Sequence, residues 1–261
     1  MGVPKLEIDY GRCRLAGVSD EEWRARVELA ACYRIFAYLG WVEMIYNHIT
    51  LRIPGPEKHL LINPFGLHYT EVCASNLIKI DLDGNKLSSS DFPVNPAGIT
   101  PHTTIHRHRD DAHCIMHTHT TAGLAVACTK RGISMTNFYS AQLYDRIAYH
   151  DFEGITVNPD EASRLLKSIG DKPLLILRNH GLLATGRTLS QAFVTLWTAQ
   201  RACEIQLASQ SLNDDLIELP QHVLEQCSRV SLQYDAKYGG GADVFNALLR
   251  QIDRIDQSYK L

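Results

Sequence analysis

A chain of 261 residues with 45% apolar and 21% charged side chains carries enough apolar surface for one sizeable core, which excludes global disorder. Its formal net charge of −3 sets up no broad attraction to nucleic acid or anionic lipid, leaving small molecules or other proteins as partners. No run of about 18 apolar residues is present, the start from Met1 to Asp9 lacks a leader pattern, and the seven cysteines form no Cys-x-x-Cys pair, so the chain reads as cytoplasmic, with reduced and mostly buried thiols.

In chain order, Ser19 with the acidic Asp20, Glu21 and Glu22 supplies a helix start, and the apolar spacing from Trp23 to Leu39 runs to a stop at Gly40. Ile49 to Ile53 and Leu60 to Ile62 read as short strands around a Pro54-Gly55-Pro56 turn, and Leu77 to Leu82 as another that leads into the hairpin turn Asp83-Gly84-Asn85. A helix is expected from Pro101 to Arg109, a strand from Cys114 to His119, and a second helix from Thr121 to Thr129. Leu174 to Arg178 is an apolar strand that ends in the turn Asn179-His180-Gly181, and Leu189 to Ser209 is a long amphipathic helix. A polar Gly239-Gly240-Gly241 stretch separates helical patterns in the tail, and neither an internal repeat nor a low-complexity segment is visible.

Alternation in a strand sends His117 and His119 to the same side about 6–7 Å apart, close enough to share one ion. The pair alone is weak evidence, because 12 histidines make an accidental His-x-His about an even chance, and His106-Arg107-His108 is a second instance. On a helix, residues i and i+2 diverge, which gives His106 and His108 a solvated or supporting role. His180 stands in a turn after an apolar strand, where side chains are often presented to a cleft. The residues alone therefore leave two readings open: a three-histidine metal site, or hydrogen-bonded structural histidines.

The segments Tyr46-Asn47-His48-Ile49-Thr50, Leu61-Ile62-Asn63-Pro64-Phe65-Gly66-Leu67, Asn95-Pro96-Ala97-Gly98, His117-Thr118-His119 and Leu177-Arg178-Asn179-His180-Gly181 resemble, in order, the motifs of the class II aldolase and adducin head-domain superfamily. The wording of the first and third is closer to the adducin heads than to sugar-phosphate aldolases. The resemblance implies an α/β fold, a three-layer α/β/α sandwich with a mixed, mainly antiparallel central sheet. It implies a single domain over 1–261, with a core at about 19–210 and a helical extension over 211–261. It also implies a homotetramer.

By the same resemblance the family's three imidazole ligands fall on His117, His119 and His180, holding one divalent metal ion per chain, zinc first and Fe(II) or Mn as alternatives. Three neutral imidazoles leave positions open for Lewis-acid chemistry or oxygen activation. Asn47, His48, Thr50, Asn63 and Gly66 correspond to the family's substrate-holding segments, with Asn63 and Gly66 equally explained as turn residues. One departure stands out: the aldolases carry an acid where this chain has Gly98. His102, one helical turn on, could reach that space as an acid/base or orienting group, whereas Asp110 and Asp111 read as a solvated helix end. Tyr139, Tyr144 and Tyr149 read as pocket lining or packing. The functional expectation is a metal-dependent carbon–carbon lyase acting on a small hydroxy- or oxo-acid. The alternatives are a non-haem Fe(II) oxygenase and a non-enzymatic adducin-like interaction module.

Overall fold

The computed structural model describes residues 8–13, 15–155, 160–231 and 239–261; most of the N-terminal stretch read above for a leader lies outside them. Helix α1 (Asp20–Leu39) starts where Ser19 accepts the Glu22 N–H and stops at Gly40 in the left-handed region. Strands β1 (His48–Arg52), β2 (Leu60–Ile62) and β3 (Ile78–Ile80) follow. The third is shorter than its apolar run, because Asp81 gathers the N–H groups of Asp83 and Asn85 and turns the chain early. Helix α2 (Pro96–His108) begins five residues before the expected start, because the Asn95 side chain accepts the Ala97 N–H and Pro96 fits the first helical position.

Next come β4 (Cys114–Thr118), α3 (Thr121–Ala127), α4 (Phe138–Gln142), β5 (Ile147–His150), α5 (Glu161–Ile169), β6 (Leu174–Leu177) and β7 (Gly181–Gly186). Helices α6 (Leu189–Ser211), α7 (Gln221–Val230) and α8 (Ala242–Ile255) complete the described strands and α-helices. The strands form one mixed sheet in the order β3-β2-β1-β4-β7-β6-β5. Every neighbouring pair is antiparallel except β5 with β6. This is the α/β class expected.

Strand alternation splits the core. On one face Ile49, Met116, Ile176 and Ala184 pack under α1, α6 and α8. On the other, Ile115, Leu175 and Leu183 meet Ile105 of α2 and Leu165 and Ile169 of α5. The sheet is thus the middle of three layers. Residues beyond 211 return to that core: α8 buries Phe245, Leu249 and Ile252, Tyr259 is fully buried, and Ala74 and Ser75 donate to the carbonyls of Tyr259 and Leu261. Of the seven cysteines, all unpaired, three are buried (Cys32, Cys114, Cys203), two are intermediate, and Cys13 and Cys128 are exposed. The expectation of mostly buried thiols is corrected, because the exposed pair sit on an irregular N-terminal segment and just past the end of α3. No helix among the described residues is long and apolar enough to cross a membrane.

Candidate metal centre

Strands β1 and β4 pair with His48 opposite His117, so both imidazoles leave the sheet on the α2 side. His119 lies one residue past the end of β4, and His180 occupies the tight turn between β6 and β7. That turn needs Asn179 in the left-handed region and needs Gly181, since a Cβ there would stand 2.3 Å from the Thr118 carbonyl oxygen. The two bends bring three rings together. His117 Nε2 and His119 Nε2 are 2.8 Å apart, and His119 Nε2 and His180 Nε2 are 3.0 Å apart.

Hydrogen bonds decide which nitrogen is free on two of them. His117 Nδ1 lies 2.9 Å from the Leu182 carbonyl oxygen, which can only accept, so Nδ1 carries the proton and Nε2 the lone pair. His119 Nδ1 lies 2.9 Å from Asn47 Oδ1, an acceptor already facing the His119 backbone N–H, and the same assignment follows. Two lone pairs are therefore held at 2.8 Å, an arrangement that repels unless a cation sits between them. Burial and the neighbouring His180 ring pull His119 down to about 4, and burial carries His117 well below the usual imidazole range and lowers His180. Three neutral imidazoles with converging nitrogens are a donor set that fits one divalent transition-metal ion.

The triad opens into a cavity of about 560 Å³. Tyr46, Phe65, Leu124, Phe152 and Leu183 are among the residues that line it, and no Lys or Arg is found among the described lining residues. Glu43 is the one carboxylate on the described wall; burial raises its pKa, partly offset by a hydrogen bond from Asn47.

A profile of the Class II Aldolase and Adducin N-terminal domain matches residues 27–207. The chain belongs to the class II aldolase and adducin family. A Pseudomonas aeruginosa protein with a provisional aldolase class 2 name is 42% identical, covering 94% of this chain and 95% of its own. Mouse alpha-adducin is 40% identical over 88% of this chain, which spans 33% of that protein. The crystal structure of an aldolase II superfamily protein from Pseudomonas syringae superposes with a TM-score of 0.88 at 39% identity, over 94% of this chain and 98% of that one. The L-fuculose 1-phosphate aldolase of Glaciozyma antarctica shares the fold, with a TM-score of 0.80 at 24% identity.

The departure at Gly98 has a structural partner in this family member. A Cβ at 98 would stand 2.7–3.0 Å from three ring atoms of His48, so the His48 imidazole fills the space over Gly98. His102 does not enter that space. It is fully buried behind His48, the rings 4.5 Å apart edge to face, and it is not on the cavity wall. Its reach is taken up by Thr50, whose hydroxyl lies 2.7 Å from both His102 Nδ1 and His106 Nε2. His106 Nδ1 donates to the Ala112 carbonyl, so its Nε2 accepts from Thr50 and His102 Nδ1 donates to Thr50. Thr50 is therefore a buried bridge that does not face the cavity. Positions 98, 102 and 106 fall at i, i+4 and i+8 on one face of α2, above His48 and Thr50.

The other expected residues separate in the same way. Asn47 is bonded to His119, while Asn63 accepts from the Tyr33 hydroxyl at 2.8 Å and Gly66, with φ of +115°, abuts the Phe92 ring; both shape the turn that carries Phe65 into the cavity. His108 is exposed as expected, but His106 is fully buried and hydrogen-bonded at both ends, because its face of α2 packs against Thr50 of β1 and the Ala112 carbonyl. Asp110 is solvated beside Lys58, and Asp111 pairs with Arg109. Tyr139 packs on Trp197 and Tyr149 on Arg178, and none of the three tyrosines lines the cavity. Glu43, Phe152 and Leu183 were not singled out in the sequence; no motif marks them, although Tyr46 and Phe65 stood inside quoted segments.

Proposed function

We propose that this family member is a metal-dependent carbon–carbon lyase, of aldolase or decarboxylase type, acting on a small hydroxy- or oxo-acid with an apolar body. The observation that carries the reading is the pair of opposed Nε2 lone pairs of His117 and His119, joined by His180, at the floor of an apolar cavity. Bound there, a divalent ion such as zinc supplies Lewis acidity toward a substrate carbonyl or hydroxyl. The cavity walls exclude water and hold the substrate's apolar portion against Tyr46, Phe65 and Phe152. Without a described cation on the wall, a phosphate group has no fixed partner, which favours substrates anchored by a carboxylate and hydroxyl or oxo pair at the triad. His48 stands in place of the absent acid at position 98 and offers a neutral imidazole to the reacting end, backed by His102. Loss of that carboxylate suits decarboxylation better than aldol cleavage, since the former needs an electron sink more than a proton abstractor.

Fe(II) in the same site would instead favour the oxygenase reading. The kinship with mouse alpha-adducin supports an interaction module should the triad bind no metal. We propose, further, that the protein acts as a homotetramer in the cytoplasm, to be checked by its solution mass and by fractionation of the cells that make it. The deciding experiment is elemental analysis of untagged protein purified under nitrogen, beside His180→Ala. About one zinc per chain, lost in the variant, leads to lyase screens on hydroxy- and oxo-acids, and iron leads to oxygen-uptake assays. Absence of metal from both overturns the enzymatic reading.

A further inference from the structure

Asn47 makes a full set of hydrogen bonds, and their directions are fixed by groups with no choice. The His119 backbone N–H can only donate, so the amide oxygen faces it, at 2.9 Å. The Trp41 carbonyl can only accept, so the amide nitrogen faces that side, at 3.0 Å. The same nitrogen donates to Glu43 Oε2 at 2.5 Å, and the same oxygen accepts from His119 Nδ1. The result is a directed chain from carboxylate through amide to imidazole, ending at His119 Nε2, which is 2.8 Å and 3.0 Å from the corresponding atoms of His117 and His180. His117 has a plain backbone carbonyl, that of Leu182, behind its own Nδ1; His119 has charge behind it.

The loop is built to hold this carboxylate. Glu43 and Met44 have φ of 36° and 62°, consecutive left-handed positions without glycine, a conformation that persists only where surrounding contacts enforce it. The Tyr69 hydroxyl donates to the Asn47 carbonyl and clamps the end of the loop. Glu43 was not among the residues the sequence pointed to, and no family motif quoted above contains it.

We propose that Glu43 is a positioning residue for the metal centre: through the Asn47 amide it fixes the Nδ1–H tautomer of His119 and makes Nε2 a stronger donor to the ion. The inference rests on the reading that the triad binds a divalent metal. A carboxylate accepting from the amide N–H draws electron density toward the amide oxygen, which then holds the Nδ1 proton of His119 more tightly, the usual way an outer partner orients a ligand histidine and raises its basicity.

The test uses the metal alone. Affinities for Zn(II) and Co(II) are measured by chelator competition for wild type and the isosteric Glu43→Gln. In the Co(II)-loaded proteins, the solvent-exchangeable ring N–H resonances of the ligand histidines are followed by proton NMR. The expected result is affinity about tenfold to a hundredfold weaker in Glu43→Gln, with the His119 N–H resonance displaced and that of His117 unmoved. Affinity within threefold of wild type, with an unmoved His119 resonance, overturns the inference while leaving the metal reading intact. Wild type that binds neither ion overturns both. Should Glu43→Gln fail to fold, the ring nitrogens of metal-free wild type decide by 15N correlation: a proton on Nδ1 of His119 is required, and a proton on Nε2 sinks the proposal.

Discussion

A buried pair of histidines and a partly buried triad stand on either side of the His48 ring, which is 4.5 Å from His102 and 5.1 Å from His117, and they use their nitrogens differently. In the chain formed by His102, Thr50 and His106, the hydrogen bonds run from one protein group to another and end on the Ala112 carbonyl, and the one nitrogen left over, His102 Nε2, is buried away from the cavity. In the triad, the protein takes up only the Nδ1 atoms of His117 and His119 and leaves their Nε2 atoms facing each other. Residue type and neutrality are shared: burial depresses both groups, His106 to about 3 and His119 to about 4. What separates a structural histidine from a candidate ligand is whether its free nitrogen converges with others at the cavity, which is a property of the surroundings and not of the histidine.

The sharpest way to break the comparison is to delete one ring from each group. His119→Ala is expected to lose bound metal entirely while its melting temperature without metal stays close to wild type, because ligands at an open site supply little of the folding energy. His106→Ala is expected to keep its metal but lose about 3 kcal/mol of stability, from two broken hydrogen bonds and a cavity beside Ile105. Elemental analysis and thermal melts on both proteins check this, and metal loss in His106→Ala would mean that the groups are not separate.

A smaller effect is expected at the join between them. Gly98→Ala drives a methyl into the His48 ring and is expected to cost about 1–3 kcal/mol, most of it recovered in the double variant with His48→Ala. A stable Gly98→Ala protein with an undisturbed His48 would show that the ring does not own that space.

A further effect concerns pH. His106 has a folded pKa of about 3 against about 6.5 unfolded, so below pH 6.5 the unfolded chain binds a proton that the folded chain refuses. Its contribution to stability is therefore full above pH 6.5 and is lost progressively as the pH falls toward 3. Metal-free wild type should melt at decreasing temperature over that window, and His106→Ala with a shallower slope; parallel slopes would contradict the assignment.

Sequence alone was informative where a side-chain pattern maps directly onto backbone geometry. The helix from Ser19 to Gly40 shows both of its caps in the sequence, and the turn at Asn179-His180-Gly181 is encoded by the residues it needs. The triad could be located by motif, but its convergence depends on the pairing of β4 with β7, which no local spacing reveals. His102 was misdirected for a similar reason: one helical turn from Gly98 is the right distance, but a strand from elsewhere brings His48 into the space first. β5, β7 and α5 escaped because their runs are short or surrounded by polar residues. Glu43 escaped because its place depends on two strained φ angles that its residue type does not advertise.

The spacing of the three candidate ligands along the chain also bears on the order of events during folding. His119 and His180 are 61 residues apart, and closing a loop of that length is entropically costly before the central strands have paired. An unfolded chain therefore keeps at most the nearby His-x-His pair together, and the three-histidine arrangement exists only once the sheet is assembled. An ion bound at the proposed triad would be a late lock, slowing escape from the native state and leaving the speed of reaching that state to the sheet.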